Sequence, residues 1–227
     1  MNRAESLFCK IFLAPIIKKI FIKEIKGLEN VPASNFILVS NHQSHLDIII
    51  SAFLCLPRRF HFIGQIDGFK IPLKWLIRSI YFLSGVIPLD RQNKESREKV
   101  ILQAIKILKK RDILIIYPEG KRSLNGEIQG GKLGIAKIFL KTGIPIIPAA
   151  LHGTFEILPP KGKLKIKKIV KVNIGKPLYF EEEFAQAQKI DENSEEYKDI
   201  LKKITNRVMA EVAYLKSFHE ENVYQFC

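Results

Sequence analysis

An imidazole and a carboxylate five positions apart stand between two apolar runs in Ser40-Asn41-His42-Gln43-Ser44-His45-Leu46-Asp47. That pair has the makings of a general base and its orienting partner. The carboxylate fixes the imidazole tautomer and stabilises the cation formed on proton abstraction. His42 and Asp47 are therefore the candidate catalytic residues. His45 competes for the base role, but its separation of two from Asp47 is poor for pairing in a helical first turn. Three later segments add polar groups: Gly85-Val86-Ile87-Pro88-Leu89-Asp90-Arg91, Tyr117-Pro118-Glu119-Gly120-Lys121-Arg122-Ser123 and Gly143-Ile144-Pro145-Ile146-Ile147-Pro148. Arginine suits phosphate, because its planar fork gives two parallel charge-assisted hydrogen bonds. Gly120 lets backbone approach a ligand closely.

The elements that must position these groups alternate along the chain. Strands are expected at Phe36–Ser40, Phe60–Ile63, Val86–Pro88, Ile113–Tyr117 and Pro145–Ala149. Helices are expected at Ser44–Cys55, Ile71–Phe82, Ser96–Lys110 (with Ile101, Ile105 and Leu108 on its buried face) and Lys132–Lys141. Lys163–Val172 interleaves lysines with apolar residues and reads as a strand near a sheet edge, and Glu192–Phe218 as a long terminal helix. This order predicts an α/β fold. Its central sheet is mostly parallel or mixed and flanked by helices, with active groups gathered at strand ends.

Composition narrows the partners. With 227 residues, 47% of them hydrophobic, the chain has ample material for a core. A net charge of +14 reflects either solubility or an anionic partner such as a membrane, a nucleic acid or a phosphorylated substrate. Cys9, Cys55 and Cys227 are odd in number and without metal-ligand companions, which predicts a reducing compartment and no disulfide framework. A secretory signal is not expected with Glu5 and Lys10 where they stand, nor is a transmembrane span among runs as short as Ile11–Ile17. Residues 1–24 form a segment of their own, ahead of a domain over 25–227. Two short amphipathic helices kinked at Pro15, with Lys10, Lys18, Lys19 and Lys23, suit the plane of an anionic bilayer. A helix packed on its own domain fits the same pattern.

Taken together and in order, four blocks resemble the glycerophospholipid acyltransferase family, most closely the bacterial type of lysophosphatidic acid acyltransferase. They are Asn41-His42-x4-Asp47, Gly85-x3-Leu89-Asp90-Arg91, Tyr117-Pro118-Glu119-Gly120-x-Arg122-Ser123 and Ile144-Pro145-x2-Pro148, within roughly residues 25–180. The resemblance implies that His42, held by Asp47, takes the proton from the free hydroxyl of a lysophospholipid as it attacks an acyl thioester. It implies that Arg91, Glu119, Gly120, Arg122 and Ser123 position the glycerol-phosphate head group, and that Ile144, Pro145 and Pro148 shape the acyl-donor site. Acyl-CoA or acyl carrier protein thioester is the expected co-substrate, with no cofactor and no metal. The expected setting is peripheral, on the cytoplasmic face of an anionic membrane.

Three departures bear on the acceptor. Lys121 stands where relatives often have Thr, Gly64-Gln65-Ile66-Asp67-Gly68-Phe69 replaces a Lys-rich element, and Gly131-Lys132-Leu133-Gly134 replaces a Phe-Lys-x-Gly element. Another lysolipid or an aminolipid is thus an alternative acceptor, and a catalytically silent membrane-binding protein an alternative role. Nucleic-acid binding through Lys161–Lys171 is not expected, because no aromatics interleave those lysines. Gly126–Leu133 nearly matches a nucleotide-binding P-loop, but Leu133 replaces the magnesium-holding hydroxyl and the stretch does not follow its strand directly.

Overall fold

The computed structural model describes residues 3–65 and 85–218. The helix expected at Ile71–Phe82, the stretch after Gln65 and Cys227 lie outside the described residues. Helical backbone opens the chain as α1 (Arg3–Phe8), a π-helical turn (Cys9–Leu13) and α2 (Ala14–Ile20), with Pro15 in the first turn of α2. A proline there forfeits no hydrogen bond, since its missing N–H would be unpaired anyway. β1 (Ile22–Lys26) follows at once, so the boundary expected after residue 24 falls inside a strand. The period of Ile22-Lys23-Glu24-Ile25 suits a helix as well as a strand, which is why no strand was expected there.

Among the described residues, seven strands form one sheet in the order β1-β7-β6-β2-β5-β3-β4. These are β2 (Ile37–Ser40), β3 (Phe60–Gln65), β4 (Ile87–Leu89), β5 (Ile113–Ile116), β6 (Ile146–His152) and β7 (Val170–Ile174). β6, β2, β5, β3 and β4 run parallel, while β7 lies antiparallel to β6 and carries β1 parallel to itself. β2 and β5 are buried at every position, as strands covered on both faces must be.

Two helical layers cover the sheet. On one face lie α2, α3 (Leu46–Cys55) and α6 (Thr154–Ile157), sharing a core with Phe36, Leu38, Ile115 and Val172. On the other lie α4 (Lys94–Lys109), α5 (Gly134–Thr142), α7 (Glu181–Ala187) and α8 (Glu195–Ser217), packed with Ile37, Val39 and Leu114. Side-chain caps start two of these. Asn93 accepts from Ser96 N–H at 3.1 Å and Ser194 from Tyr197 N–H at 3.1 Å. In α4 the fully buried stripe is Val100, Ala104 and Leu108, one position off the expected Ile101 and Ile105, which are half-buried.

The expected strand over Lys163–Val172 is corrected in two ways. Residues 161–168 are not extended into the sheet and are all exposed. β7 begins only at Val170, and it lies inside the sheet with Val170 and Val172 buried, because β1 takes the edge. Cys55 lies in the core as a free thiol, its pKa pushed up to about 12 by burial.

Candidate active site

β2 is the middle strand of the seven-stranded sheet, and its chain leaves the sheet at Asn41 between the outgoing ends of β5 and β6. The first residues past the strand alternate in direction, as extended backbone requires. Asn41 and Gln43 turn toward β6. Asn41 donates to Leu151 O at 3.0 Å and accepts from Leu151 N–H at 2.8 Å, while Gln43 donates to Leu151 O and Thr154 Oγ1, each at 3.0 Å. His42, between them, faces the mouth.

Asp47 sits in the first turn of α3, fully buried, and gathers the turn around one oxygen. Its Oδ2 accepts from Gln43 N–H and Ser44 N–H at 2.7 Å each and lies 2.9 Å from His42 Nδ1. A carboxylate oxygen has no proton to give, so Nδ1 carries the hydrogen and Nε2 keeps its lone pair. Ser44 completes the helix start: its hydroxyl accepts from Leu46 N–H at 3.0 Å and donates to Leu158 O at 2.7 Å.

The loop after β5 grips the same turn from the other side. Glu119 Oε1 accepts from His42 N–H at 2.7 Å, and Ser123 N–H donates to His42 O at 2.8 Å, so both main-chain groups of His42 are held by this loop. Glu119 Oε2 accepts from Gln129 N–H at 3.0 Å. Burial pushes the Glu119 carboxyl upward, opposed by those two backbone donors. The Tyr117 ring stacks on the His42 imidazole, centroids 4.2 Å apart and planes inclined by 15°, and its hydroxyl donates to Ser51 Oγ at 3.0 Å. An aromatic face against the imidazole fixes the ring plane and would favour its protonated form. Gly120 adopts φ +69°, a left-handed conformation, and turns its carbonyl to accept from Arg91 Nη1 at 2.8 Å. Arg122 reaches His45 Nε2. Burial, and then the charge of Arg122, lower the His45 pKa.

The expected residues therefore divide. His42, Asp47, Arg91, Gly120 and Arg122 come together at one rim, and His45 is engaged by Arg122 while Asp47 Oδ2 takes His42. Glu119 and Ser123 reach the same place, but both are buried, and the carboxylate faces main-chain donors where a head-group contact was expected. Ile144 and Pro145, expected at the acyl-donor site, stand apart from that rim. Pro145 O accepts from Ile37 N–H at 3.0 Å, at the incoming end of β2, which leaves His42 roughly 16 Å further along. Pro148 is a buried residue of β6 paired with Val39. A cavity of about 610 Å³ borders Gln43, His152, Phe155, Lys171 and Lys216 but not His42 or either arginine, so it lies apart from the rim those residues share.

Sequence reasoning gave no role to Asn41, Gln43, Tyr117 or Gln129. The alternation Asn41-His42-Gln43 after a buried strand carried a signal for the first two. Gln129 enters only through its backbone N–H, which no residue type announces. Gly126–Leu133 forms no phosphate cradle, since Gln129 N–H and Lys132 N–H are spent on Glu119 and on Pro118 O.

Among proteins of known activity, the chain is 34% identical over 182 residues to a chloroplastic 1-acyl-sn-glycerol-3-phosphate acyltransferase of Brassica napus, covering 78% of this chain and 51% of that protein. It is 32% identical over 158 residues to the 1-acyl-sn-glycerol-3-phosphate acyltransferase of Bacillus subtilis, covering 69% of this chain and 73% of that protein. The chain thus spans about half the length of the plant relative and nearly three quarters of the bacterial one. The crystal structure of the 1-acyl-sn-glycerophosphate (LPA) acyltransferase of Thermotoga maritima superposes with a TM-score of 0.58 at 25% identity, over 92% of this chain and 88% of that one. The Acyltransferase family model matches residues 23–152, more than half of the chain, from β1 through the His42–Asp47 turn to the end of β6. With sequence, fold and the order of its strand-end blocks in agreement, the chain belongs to the Acyltransferase family.

Proposed function

We propose that this chain transfers an acyl group from an acyl thioester to the free hydroxyl of lysophosphatidic acid, giving phosphatidic acid. His42 Nε2 takes the hydroxyl proton as that oxygen attacks the thioester carbonyl, and Asp47 holds Nδ1–H and balances the imidazolium. The tetrahedral intermediate collapses by breaking the C–S bond, and His42 returns the proton to the departing thiolate. Coenzyme A or acyl carrier protein supplies the thiol, and the steps call on no further cofactor. Arg91 and Arg122, on loops that adjoin the turn, suit the acceptor phosphate. Glu119 and Ser123 act in this reading as supports of the turn. The observation that carries the proposal is the 2.9 Å His42–Asp47 contact at the outgoing end of the central strand, flanked by those arginines.

A lipid acceptor asks for a lipid surface. No helix among the described residues is long and apolar enough to cross a membrane. The helical backbone from α1 through the π-helical turn to α2 instead exposes Leu7, Phe8, Ile11, Phe12, Leu13 and Ile16 beside Lys10, Lys18 and Lys19, which suits peripheral binding to the anionic cytoplasmic leaflet.

The test is acyl transfer by the purified protein on anionic vesicles. Acyl-CoA and acyl carrier protein thioester are offered with lysophosphatidic acid or with a lysophospholipid whose phosphate is capped. Product with lysophosphatidic acid alone, reduced about 10²–10⁴-fold in His42→Ala, is the expected result. Near wild-type turnover in His42→Ala would remove the mechanism, and preference for the capped acceptor would move the substrate.

A further inference from the structure

The segment between α6 and β7 reads Lys161-Gly-Lys163-Leu164-Lys165-Ile166-Lys167-Lys168, with five lysines and no acidic residue. Every residue of it is exposed, including Leu164 at 53% and Ile166 at 73%. A lone exposed leucine needs no explanation, but two large aliphatic side chains spaced among five lysines make a patterned surface. The segment is also tied down. Lys165 N–H donates to Ile157 O at 2.8 Å and Gly162 N–H to Pro159 O at 2.9 Å. Leu158, just ahead of it, accepts the Ser44 hydroxyl of the catalytic turn. Across a hollow lined by Pro159, Pro160, Lys161 and Gly162 stands Leu124, 69% exposed, next in the chain to the Ser123 that holds His42 O.

We infer that residues 161–168, together with Leu124, form a second membrane contact, which sets the rim of the catalytic turn against an anionic leaflet. The inference rests on the peripheral-membrane reading above and deepens it. A bilayer takes both halves of the pattern. Lysines meet lipid phosphates within a Debye length of the surface, while Leu and Ile enter the boundary between head groups and chains. A nucleic acid would use the lysines alone, leaving Leu164, Ile166 and Leu124 in water with no aromatic to stack on a base. These ties give the contact a consequence, since Lys165 is bonded to Ile157 O and the adjoining Leu158 O to Ser44, two residues from His42.

The test uses the full chain with vesicles of phosphatidylcholine alone or with added phosphatidylglycerol, read by flotation. Lys163→Gln/Lys165→Gln is expected to weaken partition to the anionic vesicles about thirty-fold, from a contribution of about fivefold per lysine. Leu164→Ser/Ile166→Ser is expected to weaken it about tenfold, with unchanged thermal melting and unchanged turnover of a soluble short-chain acceptor. Ile166→Trp gives a reading that does not depend on loss: its added emission is expected to shift to the blue on anionic vesicles. A wild-type protein that binds no vesicles would sink the peripheral-membrane reading and this one with it. Wild-type binding that both double variants retain, or an Ile166→Trp emission that stays water-like on bound vesicles, would overturn the second contact alone. So would single-stranded RNA binding that depends on the lysines while vesicle binding does not.

Discussion

The two helical layers of the sheet treat solvent differently. α8 is a water-facing helix in the ordinary sense. It buries Tyr197, Ile200, Leu201, Ile204, Val208, Val212 and Leu215 and presents mostly charged residues outward. Across the sheet, residues 6–20 bury Ser6 and Ala14 and half of Ile17 while exposing a row of Leu, Ile and Phe, and α3 exposes Ile48 and Ile49. The His42–Asp47 turn opens α3 and is tied by Gln43 to α6 and by Ser44 to Leu158 just past it, so the proposed base belongs to the layer that exposes apolar surface. Folding of the described domain does not consume those side chains. In the proposed reading, the contrast separates what holds this protein together from what brings it to its substrate.

Substitutions can break that separation or sharpen it. The largest stability effect is expected in the water-facing layer: Ile204→Ala, at a fully buried position, should cost about 2–5 kcal/mol in urea unfolding without changing vesicle partition of the folded protein. A loss of vesicle binding in proportion would mean the layers are not independent. Glu119→Gln comes next. Its amide cannot accept from both His42 N–H and Gln129 N–H as the carboxylate does, and a charged acceptor is worth about 1.5–3 kcal/mol. kcat should therefore fall by ten- to a hundredfold with little change in acceptor KM, whereas a raised KM would return Glu119 to the head group.

A smaller effect is expected at the exposed helix. Phe8 and Phe12, with ring centroids 4.8 Å apart, are each more than half exposed. Phe8→Ser/Phe12→Ser should weaken vesicle partition by at least about tenfold while leaving the unfolding midpoint in place. A lowered midpoint would mean instead that the helix is packed on its own domain. The smallest effect concerns pH. The His45 pKa is lowered from its ordinary value near 6.5, so below that value the unfolded chain takes up a proton the folded one resists. Stability should decline as pH falls from 6.5 until the folded-state value is passed, and His45→Gln should flatten that decline in thermal melts at stepped pH.

Much of this was legible from residue order because the relevant physics is local. Apolar runs of four fully buried residues, such as Ile113–Ile116, announce covered parallel strands, and an Asn-His pair ending one of them announces a turn. Residue order does not separate Lys163–Val172 into loop and strand, because alternation of charge and aliphatic residues is common to a half-solvated strand and to an exposed loop. β1 was missed because five residues of mixed pattern acquire strand geometry only when β7 offers an edge.

By itself, then, the sequence determined the α/β class, the strand-end location of the active groups and the His42–Asp47 pair, since each depends on spacing within one segment. Tertiary structure alone decided that Glu119 holds the main chain of His42, that Tyr117 covers the imidazole, that Arg122 takes His45, and that Ile144 and Pro145 lie at the far end of the sheet. Those are relations between segments many residues apart. The geometry of strand pairing sets them, and no short window of residues contains it.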